Sequence, residues 1–215
     1  TNAIYGVSAG ALFGINFKSK QIGRAIRYNL KYAHEKNYMG LYSLITTGDI
    51  MNKDFCFNRI VYELDKFDFD TFDASPIDFY AVVTNVETGR AEYMKITKSR
   101  EELEKLRASG SMPFVSRFVE INGTKYLDGA ISDPIPIKKA IEEGYEKIVV
   151  VLTRAENDNK RREKLPYNLV YRKYPNFIKC AEKQLDVYQE SLDLIKKFEK
   201  QGKIVVLRPS QNLKI

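Results

Sequence analysis

Gly6-Val7-Ser8-Ala9-Gly10 is the first stretch of the chain whose residue types could do chemistry. A serine spaced between two glycines fits a nucleophile elbow, in which the serine stands on a sharp strand-to-helix turn with its Oγ in a cleft. Small neighbours suit such a turn, because the backbone is strained and the flanking elements come close. The helix that follows sets partial positive charge beside the serine, where negative charge develops during acyl transfer. The pattern alone arises by chance roughly once in fifteen chains of this length, and a structural glycine turn is the competing reading.

A serine nucleophile needs a base. The chain has one histidine, His34. It falls inside a helix predicted over 19–36 and is flanked by Lys31, Glu35 and Lys36, which suggests an exposed polar position. A carboxylate acting directly is the alternative, and Asp128 is the candidate. It ends a predicted strand, Leu127 and Ile131 lie close in sequence, and Gly129 lets another segment approach. Burial there would raise its pKa and make it a better base. Taken alone, an Asp-Gly pair such as Asp128-Gly129 is usually just a turn.

Other chemistries find less support. A single histidine excludes a metal site built on several. The acidic run from Asp65 to Asp73 lacks the glycine and distal glutamate of a calcium loop. Cys56 and Cys180 form no C-x-x-C pair and read as buried thiols in a reducing compartment. No cofactor or metal is expected.

The elements that must position Ser8 and Asp128 follow from pattern. Ile4-Tyr5-Gly6-Val7 is a short strand leading into the elbow. A helix capped by Ser19 is predicted next, its apolar positions being Ile22, Ala25, Ile26, Leu30 and Ala33. Residues 77–86 read as a buried strand, turned by Thr88-Gly89 into another over 91–96. A helix capped by Ser99 ends near Gly110. Asn122-Gly123 is a hairpin signal between strands at 117–121 and 125–127. A short helix ends at Gly144, and Ile148-Val149-Val150-Val151-Leu152 reads as a strand covered on both faces. Residues 156–175 turn polar and basic, a linker or lid. Leu185, Tyr188, Leu192, Ile195 and Phe198 mark an amphipathic helix, and Ile204-Val205-Val206-Leu207 a last strand. Alternating strands and helices imply an α/β domain with helices on both faces of a sheet.

The 215 residues are 44% hydrophobic and 29% charged, values of one globular domain rather than a disordered or fibrous chain. The formal charge is +7. The basic clusters at 160–164 and 172–173 carry no RNA-binding or zinc-finger pattern, so no nucleic acid is expected. The charge suits transient contact with an anionic membrane, and no apolar run is long enough to span one. These features lead us to expect a cytoplasmic protein, peripheral at the membrane. The first residues have no leader pattern and no initiator methionine, so a piece of a longer protein is one reading of the chain and a poor catalyst as it stands is the other.

Together, the two motifs give the chain its resemblance. Gly6-Val7-Ser8-Ala9-Gly10-Ala11 is similar to the nucleophile motif of bacterial patatin-like phospholipases, and Asp128-Gly129-Ala130 resembles the motif that carries that family's catalytic aspartate. The segments 83–89, 108–113 and 133–137 also resemble it, and the likeness covers 4–153 well. The resemblance implies a three-layer α/β/α fold with a mostly parallel central sheet. It implies a core at 1–155, with 156–215 completing the same domain. It implies a serine lipid acyl hydrolase, of phospholipase A or lysophospholipase type, working through a Ser8–Asp128 dyad on a lipid or other acyl ester. The family's glycine-rich loop, which forms most of its oxyanion hole, and its first strand are not found before Gly6, so the backbone N–H of Ala9 is expected to supply only a partial hole. A fold-retaining lipid- or membrane-binding module of weak or no activity is the alternative. Phe13, Phe17, Tyr38, Met39 and Tyr42 are candidates for an acyl-chain channel.

Overall fold

A computed structural model describes residues 1–156 and 165–211. Its first sheet has five strands: β1 (Ala3–Val7), β2 (Asp78–Asn85), β3 (Ala91–Lys95), β4 (Val119–Ile121) and β5 (Thr124–Asp128). A smaller sheet pairs β6 (Ile148–Val151) with β7 (Ile204–Leu207). The helices are α1 (Ala9–Lys18), α2 (Arg24–Tyr32), α3 (Leu41–Thr47), α4 (Phe69–Ala74), α5 (Leu103–Ser109), α6 (Ile137–Glu142), α7 (Tyr167–Val170) and α8 (Pro175–Lys200). A π-helical stretch, Phe55–Leu64, lies between α3 and α4.

β2 is the hub. β3 lies along one of its edges, pairing antiparallel from Tyr80 to Thr84. The opposite edge is shared by two strands. β1 runs parallel to β2 as far as Val7 opposite Val82, and β5 runs antiparallel to it as far as Asp128 opposite Val83. The carboxyl ends of β1 and β5 therefore meet head to head beside Val82 and Val83, and this brings residues 8 and 128 together.

Alternation along β2 divides the core. Phe79, Ala81 and Val83 face α1 and α5, packing with Ala11, Ile15, Leu106 and Ala108. On the other face, Val86 and Leu127 are covered by Phe177, Ile178 and Ala181 of α8. Period-two alternation makes this two-sided burial possible. The α/β class with helices on both faces is present, but the pairing is mixed rather than mostly parallel. Among the described residues only β1–β2 and β6–β7 are parallel. The short turns joining β2 to β3 and β4 to β5 can connect only antiparallel neighbours. The second turn is Asn122-Gly123, both at positive φ (51° and 79°), as a two-residue hairpin of this type requires.

Three local expectations are corrected. The helix predicted over 19–36 is only Arg24–Tyr32, because Lys20 and Gly23 take positive φ and break the chain; Ser19 closes α1 instead of capping α2. Ser99 does not cap α5. Glu102 precedes that helix, and its carboxylate accepts the Thr97 and Lys98 N–H groups. β6 is not covered on both faces: Val149 and Val151 are exposed while Val150 is buried. The predicted lid falls partly at 157–164, outside the described residues together with most of its basic cluster; beyond it, α7 packs on α8.

Gly129 makes the crossing at the strand ends possible. A Cβ there would overlap the Val82 carbonyl oxygen and carbon, and backbone atoms cannot swing aside as a flexible side chain can. Gly10, by contrast, has nothing within 4 Å of the place its Cβ would take. Gly129→Ala should lose about 3 kcal/mol or more of stability or fail to fold, whereas Gly10→Ala should match or exceed the parent because alanine favours a helix. Urea unfolding of the two variants checks this contrast.

Candidate functional site

Ser8 follows β1 and heads α1. Its backbone has φ 53° and ψ −121°, a conformation that costs a non-glycine residue about 1–3 kcal/mol. Two contacts hold it there. Its carbonyl accepts the N–H groups of Ala11 and Leu12 at 2.9 and 3.1 Å. Its own N–H donates to Ser109 Oγ at 3.0 Å, and that hydroxyl donates in turn to the Val82 carbonyl at 2.6 Å. Gly6 is needed just before the elbow, since a Cβ there would come 2.6 Å from Ala11 Cα. Gly10 has a different part from the one its motif suggests: no element crowds it, and it leaves open space on the exposed first turn of α1.

Ser8 Oγ donates to Asp128 Oδ2 at 2.6 Å. The other carboxylate oxygen, Oδ1, accepts the Ala130 N–H at 2.8 Å. The Asp128 backbone is pinned as well: its N–H donates to the Ser111 carbonyl, and its carbonyl accepts the Thr84 hydroxyl, both at 2.8 Å. Asp128 is 3% exposed. Burial pushes its pKa up to about 6, against the opposing effect of the hydrogen bonds from Ser8 and Ala130. Among the described residues, no cation offsets the burial. A carboxylate in this state takes a proton from a neighbouring hydroxyl more readily than an ordinary one does.

Ala9 is the first residue of α1 and is exposed. The first N–H groups of a helix have no partner within it, and Ala9 follows Ser8 directly. His34 is exposed beyond the end of α2. Cys56 and Cys180 are partly buried, and burial raises both thiols, to about 12 and about 11.

A small apolar cavity of about 80 Å³ opens one turn along α1 from Ser8, between Leu12, Phe13, Tyr28, Tyr38, Met39 and Met51. Of the five candidate channel residues it contains Phe13, Tyr38 and Met39. Phe17 and Tyr42 are exposed instead.

Three residues central to this geometry had no role in the sequence reading: Ser109, Ser111 and Thr84. All three lie in segments noted for their family likeness, 83–89 and 108–113. Nothing local distinguishes a serine that braces a strand end from one that ends a helix.

Asp128 and Ser109 each yield an expected outcome. Asp128 is protonated at low pH in folded and unfolded chains alike. As pH rises from about 4 through about 6, the unfolded carboxyl ionises more readily than the buried one, so the folded state loses stability by about 3 kcal/mol. Asp128→Asn removes that cost. It should therefore leave stability nearly unchanged at pH 4 and raise it at pH 8, as measured by urea unfolding. Ser109→Ala leaves a donor and an acceptor without their partner. It should cost about 1–3 kcal/mol of stability, read by urea unfolding.

Comparison with known proteins places these features in a family. The model of patatin-like phospholipases matches residues 2–141, the span that holds the elbow, all five strands of the first sheet and Asp128. A domain family of unknown function matches residues 174–215, the region of α8 and β7. An uncharacterized protein of Escherichia coli (strain K12), YjjU, is 29% identical over 153 residues. That alignment takes in 69% of this chain and 42% of YjjU, so the chain spans less than half of that relative. With well over half of its length matched by one family model, the chain belongs to the patatin-like phospholipase family.

Proposed function

We propose that the protein is a serine hydrolase of lipid acyl esters that works through a Ser8–Asp128 dyad. The observation that carries this reading is the 2.6 Å hydrogen bond from Ser8 Oγ to a buried Asp128 whose pKa lies near 6. Asp128 takes the Ser8 proton as Oγ attacks the ester carbonyl carbon, and the Ala9 N–H donates to the resulting oxyanion. The tetrahedral intermediate collapses with cleavage of the C–O bond. The departing alkoxide takes the proton from Asp128, leaving an acyl-serine. Asp128 then removes a proton from water, which attacks the acyl carbon. The carboxylic acid leaves, and Ser8 recovers its proton. Residues 1–155 form the core in this reading, and 156–215 complete the same domain.

A fluorophosphonate probe and a soluble short-chain ester test the assignment. The parent should be labelled at Ser8, and Ser8→Ala should abolish labelling and hydrolysis. Asp128→Asn should lower kcat by about 10²-fold or more, while His34→Gln should stay within a few fold. Because the base is the ionised carboxylate, the rate should rise with pH through about 6. An unlabelled parent would favour a silent lipid-binding module, and an active Asp128→Asn beside a dead His34→Gln would reverse the roles.

A further inference from the structure

Periodicity over 22–33 finds an amphipathic helix, and the structure turns its apolar side outward. α2 buries Arg24 and Tyr28, while Ile26 and Leu30 are 64% and 73% exposed, in line with Ile22 just ahead of the helix. α3 repeats the arrangement. Ser43 is fully buried with its hydroxyl donating to the Asp49 carbonyl at 2.7 Å, and Leu41 and Ile45 are 71% and 75% exposed. Phe17, near the end of α1, is exposed as well.

The buried side of α2 fixes this orientation. The Arg24 guanidinium donates to the Asp65 carbonyl and to Asn16 Oδ1, lies 3.3 Å from the Asp65 carboxylate, and packs over the rings of Tyr28 and Phe67. Rotating α2 to bury Ile26 and Leu30 would carry Arg24 out of that pocket and leave Asn16 without its donor. Breaking such a buried pair is strongly unfavourable. The apolar stripe is thus held facing solvent.

Charge identifies what such a face suits. Between Phe13 and Thr47 the chain carries six basic residues and one acidic residue, Glu35; of the six, Lys18 and Arg24 are buried and Arg27 is paired with Asp65. Lys20, Lys31 and Lys36 are exposed around the stripe. Apolar side chains flanked by lysines match a helix lying in a membrane interface, with the apolar face among the acyl chains and the ammonium groups at anionic headgroups. A second copy of this chain would gain from the apolar area but would bring the lysines of the two faces together, like charge against like. No helix among the described residues is long and apolar enough to cross a membrane.

The face also adjoins the site. Tyr28 of α2 lines the cavity one turn from Ser8, and its ring packs against Phe13. Met39, at the entry to α3, lines the same cavity. Beyond α3, the Ile50 N–H donates to the Val115 carbonyl, four residues past the Ser111 carbonyl that binds the Asp128 N–H.

We propose that the outward faces of α2 and α3, with the end of α1, dock the protein on the anionic surface of a lipid bilayer and bring its acyl esters to the cavity beside Ser8. This rests on the reading of Ser8 as an acyl-ester nucleophile.

The test uses vesicles of phosphatidylcholine with about a third phosphatidylglycerol. The parent should co-sediment with them and less with pure phosphatidylcholine, and high salt should weaken the binding. Ile26→Ser/Leu30→Ser/Ile45→Ser should lower vesicle binding and hydrolysis of vesicle lipid at least ~10-fold and leave hydrolysis of a soluble short-chain ester within about twofold. The chain has no tryptophan, so Ile26→Trp supplies a single reporter whose emission should shift to the blue on anionic vesicles. A parent that hydrolyses the soluble ester but ignores the vesicles would overturn the docking surface and spare the dyad. Vesicle binding without ester hydrolysis or probe labelling would do the reverse. A parent dimer that the triple substitution makes monomeric, with no vesicle binding, would assign the face to a second copy and overturn the proposal.

Discussion

Two strands share one edge of β2, and the site exists where they meet. β1 arrives parallel and stops at Val7, and β5 arrives antiparallel and stops at Asp128. Neither can extend without running into the other, so each chain must leave the sheet at that point. Leaving sharply forces Ser8 into positive φ and requires glycine at position 129, where the departing backbone passes against the Val82 carbonyl. The closeness of Ser8 and Asp128, 120 positions apart in sequence, is thus a property of strand register before it is one of side chains.

That junction is unfavourable by itself and is held by its surroundings. The serine is strained, and the aspartate is buried with no counter-cation among the described residues. Around them, fixed hydrogen bonds occupy Ser8 N–H, Asp128 N–H, Asp128 carbonyl and Asp128 Oδ1. Each comes from a different part of the chain: α5, the segment after it, β2 and the turn after β5. Strain of this kind persists only where the environment over-determines the geometry. Local destabilisation retained at one place is also where stability and chemistry pull in opposite directions.

The sequence was legible where a residue's requirement is local. An elbow serine needs small neighbours, an Asn-Gly turn needs positive φ, and both leave a pattern a reader can find. The end of α1 and the extent of α2 were harder, because Lys20 takes a positive φ that its residue type does not announce. The outward face of α2 was legible only in part. Periodicity shows that a helix has an apolar side but not which way that side points, and here a buried arginine settles the matter. Burial at the site was likewise readable for Asp128 from its neighbours. The bracing by Ser109 was not, because it depends on the Val82 carbonyl 27 positions away. The strand at 148–151 looked doubly covered because a continuous apolar run records composition, not neighbours.

α8 packs Phe177 and Ile178 against Leu127, the residue before Asp128. Its Gln184 side chain donates to the carbonyl of Ala130, the residue whose N–H binds the Asp128 carboxylate. At its start, Asn176 crowds Gly89 in the turn after β2, where no side chain would fit. The segment matched by one family model therefore forms the back wall for the aspartate matched by another. Side-chain packing and a hydrogen bond cross the seam between the two matches. A change at Phe177, Ile178 or Gln184 therefore reaches the Asp128 carboxylate from behind, through Leu127 and Ala130.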